Sequence, residues 1–352
     1  MSGNTGRVTP VPRAANLKAS GVVERASGIR MLVSSKGIDM TTTAPPAAPK
    51  SAHPTIRSVL LGLLGIPPGV AVESAAVSPD DAVAQPDTAN VYEFTSVDYP
   101  GAAQTLVFDG DGTMTLGAFI FDPSSASSPV TAFTVAGGVY QILNVPDSTA
   151  SIATGINTSG LIVGAYADVA GSAHGFATSD RSTFNNVDFP GATDTQAIDV
   201  NDAGVIVGDY FDAASVEHGF VSSVGTFTAI DFPGAKSTAV AGVNANGDIV
   251  GGYTDTTGAT HGFLLSGGVF TPVNFPLASS TTAFGINDNG DIAGYYTDTA
   301  GTTHGFVYAD NNFSTVDVAG ASATQLTRIK NWEQVTGLYT DVLTAEHGLT
   351  GQ

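Results

Sequence analysis

Five histidines recur along the chain at almost constant spacing. His174, His218, His261, His304 and His347 lie 44, 43, 43 and 43 residues apart. Each is preceded, six residues earlier, by an aspartate: Asp168, Asp212, Asp255, Asp298 and Asp341. An imidazole beside a carboxylate can ligate a metal or donate a fastening hydrogen bond. A zinc site needs three or four protein ligands, and each copy offers only two. The pairs are therefore expected to be structural, the imidazole bonding the carboxylate across one hairpin, with no metal assigned. Thr131 occupies the equivalent slot 43 residues before His174.

A second set of candidates is rich in oxygen. Asp109-Gly-Asp111-Gly, Asn201-Asp-Ala-Gly, Asn244-Ala-Asn-Gly-Asp248 and Asn287-Asp-Asn-Gly-Asp291 partly resemble calcium loops. Calcium takes six to eight oxygen ligands, and no full loop pattern is present. Asn, Asp and Gly are also what tight turns require, because they tolerate positive φ. Turn formation is the expected role. No cofactor is assigned beyond weak calcium binding.

The last copy breaks the pattern. Where its neighbour has Gly285-Ile-Asn-Asp-Asn-Gly290, it has Arg328-Ile-Lys330-Asn-Trp332-Glu333, and Trp332 is the single tryptophan of the chain. Arg328, Lys330 and Trp332 are the candidate ligand-binding residues: an exposed indole beside two cations suits a sugar ring or an anionic group. The competing reading is that Trp332 covers the closing seam of the repeat array. No nucleophile elbow, zinc-protease helix, P-loop or dinucleotide fingerprint occurs, so no catalytic residue is assigned.

These residues sit in a repeated unit of about 43 residues, the period of a propeller blade or a solenoid coil. Each copy reads as four short strands, A to D, rich in β-branched and aromatic residues and bounded by Gly, Asn, Asp or Pro. Asn-Gly turns join A to B, as in 285–290, and favour a tight hairpin. The Asp–His pairs flank the B–C hairpin. Pro-Gly corners at Pro100, Pro190 and Pro233 end strand D, since proline cannot continue a ladder. The array opens on a lone D strand (VYEFTSVD, 91–98) and ends on a C strand (EHGL, 346–349). Six A, six B, six C and five D strands lie between them, so the first strand is the missing D of the last copy. That permutation predicts an all-β, closed six-bladed β-propeller over 91–352; a parallel β-helix would instead need caps at both ends.

Charge divides the chain in two. Residues 1–90 hold eight of the twelve Lys and Arg and six of the 32 Asp and Glu; residues 91–352 hold four basic and 26 acidic residues, a net of −22. Such a domain repels nucleic acid and anionic membranes. There is no cysteine, so disulfides and thiol catalysis are excluded. The first 90 residues are Ala-, Pro- and Ser-rich and read as a disordered tail. Within it, the apolar stretch 58–72 resembles the core of a secretory signal and is too short for a transmembrane span.

The segment GINDNGDIAGYYTDTAGTTHGFVY (285–308) and its copies resemble the repeats of the bacterial HAF family of extracellular proteins, named for a His-Ala-Phe triplet. Here that triplet is His-Gly-Phe in four copies, His-Gly-Leu in one and Thr-Ala-Phe in one. The resemblance covers 91–350. It implies an exported β-repeat protein and carries no catalytic residues. Together these readings predict a monomeric, non-catalytic, extracellular or cell-surface module that binds a glycan or protein or serves structurally. The alternative is a glycan hydrolase or lyase using acidic residues across the central opening.

Overall fold

The structure, a computed structural model, describes residues 92–125 and 128–352. The tail 1–90, with its signal-like stretch, lies outside the described residues. Among the described residues, 24 strands form six four-stranded antiparallel sheets. No helix there is long and apolar enough to cross a membrane.

Each sheet is one blade, with strand A innermost and D outermost. The A strands are Gln104–Gly110, Ala150–Ile156, Asp194–Val200, Ser237–Val243, Ser280–Ile286 and Ala323–Ile329. Each touches the A strand of the next blade, and the first touches the sixth, so the blades close into a ring. Blade six is completed by the chain's first strand: Phe94–Val97 pairs antiparallel with Glu346–Gly351, Phe94 opposite Gly351 and Val97 opposite Gly348. The expected permutation and closure are both present.

The repeated triplet at the start of strand C has a distinct packing reason at each position. Its third residue, Phe176, Phe220, Phe263 or Phe306, is fully buried and fills its blade. Opposite each ring lies a strand-B glycine: Gly164, Gly208, Gly251 or Gly294. A Cβ on Gly251 would stand 2.9 Å from the Phe263 ring and be driven into the Ala239 carbonyl, so only glycine lets the ring lie flat. The triplet's middle glycine has a different neighbour: a Cβ on Gly219 would strike Val240 of blade four. Blades thus pack at glycine-limited distance, and each small apolar cluster is built from two neighbouring blades.

Every A strand carries a β-bulge at the same place, the extra residue being Phe108, Thr154, Ile198, Ala241, Phe284 or Thr327. A bulge leaves its residue out of the ladder, which frees a carbonyl. These six bulges ring the axis.

Candidate functional site

The residue after each bulge also faces the axis. Around the ring these are Asp109, Gly155, Asp199, Gly242, Gly285 and Arg328. Three glycines let adjacent bulges approach closely. The exceptions are two carboxylates and one guanidinium. Arg328 is 3% exposed and fills the axis. Its Nη2 donates to the carbonyls of Ile198 (2.9 Å) and Thr154 (3.3 Å), and its Nη1 to those of Thr327 (2.8 Å) and Phe284 (3.4 Å). Nη2 also lies 3.4 Å from Asp199 Oδ1, and Nε 3.9 Å from Asp109 Oδ2. Lys330 Nζ reaches the other oxygen of Asp109 at 2.6 Å.

This placement corrects the expectation for two candidates. Arg328 is a buried axial plug rather than a surface contact, and Lys330 is paired with a buried acid. They do share one face, as their spacing implied, but that face looks inward because the closing blade supplies the ring's counter-charge. The two carboxylates are further held by backbone N–H groups, Asp109 by Gly110 and Ile156, Asp199 by Val200 and Val243. Burial pushes the Asp199 carboxyl up, against the pull of Arg328.

Above the plug, the A–B turns form the wall of a bowl. Asn157, Asn201, Asn244 and Asn287 occupy one position in successive turns. Each donates its side-chain N–H to the backbone carbonyl of the equivalent residue in the next blade, at 2.9–3.4 Å, the last to Lys330. Each Oδ1 accepts backbone N–H groups of its own turn. The asparagines are thus a girdle between blades as well as turn formers. The bowl also presents Asp111, Asp202 and Asp288. Partial burial raises the Asp111 carboxyl, but hydrogen bonds from Thr113 and Met114 and the Lys330 ammonium lower it further, below its ordinary value.

Trp332 stands at the rim, 46% exposed. Its Nε1 donates to Gln334 at 3.3 Å, and its ring lies over Gly112 of blade one, where an added Cβ would come within 3.4 Å. It covers the seam between blades six and one and still offers an indole face to solvent.

The histidines lie on the opposite face, and their bonding differs from the expected hairpin staple. Only His261 hydrogen-bonds its hairpin aspartate, Asp255, at 3.1 Å. In the other four, Nε2 stands 3.6 Å from Asp168, Asp212, Asp298 or Asp341. The short bond runs from Nδ1 to an aspartate at the end of strand D: Asp188, Asp231, Asp317 and, for His347, Asp98 of the first strand, at 2.7–3.1 Å. Blade four carries Asn274 at that position. Each ring is also stacked on a tyrosine, with centroids 5.0–5.3 Å apart for Tyr166, Tyr210, Tyr253, Tyr296 and Tyr339. In the other four blades the imidazole therefore ties hairpin to corner, and both ring nitrogens face carboxylates. The Asp317 hydrogen bond raises the His304 pKa, against the opposing effect of its partial burial.

Two groups escaped the sequence reading. The strand-D aspartates were visible as a residue recurring just before the D–A corner, as in Asp98-Tyr-Pro, Asp188-Phe-Pro, Asp231-Phe-Pro and Asp317-Val-Ala. The axial acids Asp109 and Asp199 were visible, with Arg328, as the non-glycine members of one repeat column, which only the bulge register singles out.

No family model matches this chain, and no characterised protein matches it in sequence. Among solved structures, TolB from Acinetobacter baumannii aligns with a TM-score of 0.50 at 10% identity, over 70% of this chain and 65% of its own. A mutant of AofleA from Arthrobotrys oligospora gives 0.47 at 13% identity, covering 72% and 85%. A mutant of the Aleuria aurantia lectin, in complex with Fucalpha1-6GlcNAc, gives 0.45 at 10% identity, covering 73% and 93%. What the TolB alignment supports is the fold, the six-bladed β-propeller that the sheet topology establishes.

Proposed function

We propose that this chain is a non-catalytic, exported binding module of the HAF-repeat type, whose A–B face takes a neutral glycan in the bowl above Arg328. The observation that carries the reading is Trp332, a half-exposed indole at the rim of a polar concavity that otherwise repeats around the ring. An indole face stacks on the apolar side of a sugar ring, while carboxylates such as Asp111 and Asp202 accept its hydroxyl protons. An anionic ligand is disfavoured. The bowl sets four carboxylates, Asp111, Asp199, Asp202 and Asp288, against Arg328 and Lys330, within a domain of net charge −22. The resemblance of the repeats to extracellular proteins supports export.

Hydrolysis across the opening is less well supported. Asp109 and Asp199 are the acids that face each other there, both are buried, and both are engaged by Arg328 and by backbone N–H groups.

Because Trp332 is the single tryptophan, its fluorescence reports directly on the bowl. Titration with a panel of neutral oligosaccharides should give a saturable change for at least one. Trp332→Ala should weaken that binding at least about tenfold by calorimetry, a modest demand for a stacked aromatic. Asn289→Ala, in the corresponding turn of blade five, should leave it unchanged. A panel with no saturable response would overturn the reading, and release of new reducing ends would favour the hydrolase.

A further inference from the structure

The axis of this ring has the chemistry of a receptor. Four of the six bulge carbonyls, those of Thr154, Ile198, Phe284 and Thr327, converge on one point from blades two, three, five and six. These oxygens are available because each belongs to a residue that the bulge removes from its ladder. Asp109 and Asp199 add two carboxylates from blades one and three. The glycine column makes the convergence possible. A Cβ on Gly155 would stand 2.9 Å from Asp199 Cα, on Gly242 2.8 Å from the Phe284 oxygen, and on Gly285 2.7 Å from Arg328 Cα. The Phe284 ring closes one side, 5.6 Å from the Arg328 Cζ.

We propose that the propeller axis is a binding site for a planar guanidinium cation, built by the bulge carbonyls and two carboxylates, and that the chain fills it with its own Arg328. Carbonyl oxygens directed at one point in a buried space need a cation or N–H donors. A guanidinium supplies five donors in one plane with a delocalised charge, whereas an ammonium offers three in a pyramid. Four of the N–H donors on Nη1 and Nη2 have carbonyl acceptors here. Nε alone has no hydrogen-bond partner, with Asp109 at ion-pair distance only. The charges balance: Arg328 and Lys330 answer Asp109 and Asp199. Arg328 comes from the closing blade and binds carbonyls on blades two and three across the ring. It is thus a second closure device, at the axis, beside the strand pairing at the rim.

The consequence is a vacated receptor when the side chain is removed. Arg328→Ala should lose of the order of 10 °C in Tm, since it leaves the buried Asp199 without its ion-pair partner and four carbonyls without donors. Guanidinium or methylguanidinium chloride at about 1–50 mM should then restore Tm saturably, as any ligand specific to the native state does. Sodium and tetramethylammonium chloride at the same ionic strength should not. Wild-type protein, with the site filled, should show no such gain. Asp199→Asn in the Arg328→Ala background should abolish the rescue. Arg328→Lys should remain well below wild type, because an ammonium cannot address the plane of carbonyls. If Arg328→Ala does not fold, it should refold when guanidinium is present during renaturation and not with sodium alone. The proposal is overturned if Arg328→Ala melts like wild type, if Arg328→Lys does so, or if guanidinium restores neither Tm nor folding beyond the sodium control.

Discussion

The carboxyl groups of this protein are tuned in two directions, up where the fold buries them and down where backbone N–H groups bond them. Glu217 is half-buried at the start of strand C in blade three, facing Asp209 and His218, and desolvation pushes its carboxyl up to about 7 from 4.5. The fully buried Asp209 beside it is raised well above its ordinary range for the same reason. A carboxyl raised in the folded state contributes stability that is complete below its unfolded value and is lost as pH rises through the folded value. His304, stacked on Tyr296 between Asp317 and Asp298, is also raised, and its contribution is likewise present in acid and lost as pH rises above 6.5. Asp212 and Asp341, lowered by backbone N–H bonds, act in the opposite sense, but below 3.8. Tm should therefore be highest near about pH 4 and fall toward pH 8. Glu217→Gln should flatten the fall between pH 4.5 and 7. A melting profile that rises from pH 5 to 8, or an unchanged slope in the variant, would contradict this assignment.

At the scale of the blade, the alternation of glycine and phenylalanine across strands B and C sets both thickness and spacing. Gly251 and Phe263 face each other in the B–C pair of blade four. Phe263→Ala should cost about 3–5 kcal/mol, the usual range for emptying a buried aromatic site. Gly251→Ala adds a single carbon, yet should cost about 1–3 kcal/mol, because that carbon meets the Phe263 ring and the Ala239 carbonyl. Equilibrium urea unfolding separates the two, and a neutral Gly251→Ala would show that the ring has room to move. The strands, turns and triplet were legible in the sequence because each copy repeats the same local signals. The site was less so. The Asp–His spacing suggested a bond within one hairpin, whereas His218 bonds most closely to Asp231, thirteen residues on at the end of strand D. Strand D folds back beside strand C, and that adjacency has no signature in the spacing between B and C.

For the whole molecule, closure is the decisive event. Phe94–Val97 supplies the outer strand of blade six, Phe94 packs into that blade's core, and Asp98 accepts the bond from His347. Removing residues 91–98 should leave a three-stranded blade with an open edge. The loss is roughly 1–2 kcal/mol each for the half-buried Phe94 and Val97, together with the strand's hydrogen bonds. An open edge recruits other chains. Light scattering should therefore show self-association and calorimetry a lower Tm; a truncated protein that remains monomeric with unchanged melting would refute closure by this strand.

The sequence by itself determined the period, the four-strand unit, the ring of six and the strand that completes it. All of these follow from local composition repeated in register, since turn formers and apolar alternation act within a few residues of one another. It also marked blade six as different and Trp332 as its distinctive side chain. Only the tertiary structure decided what that difference does. Arg328 and Lys330 read as exposed cations in a turn because nothing nearby in sequence neutralises them. Their partners, Asp109 and Asp199, lie 219 and 129 residues away from Arg328 and meet it because six bulges converge on one axis. Charge pairing across a closed ring depends on the angle between blades, and no spacing along a single chain encodes that angle.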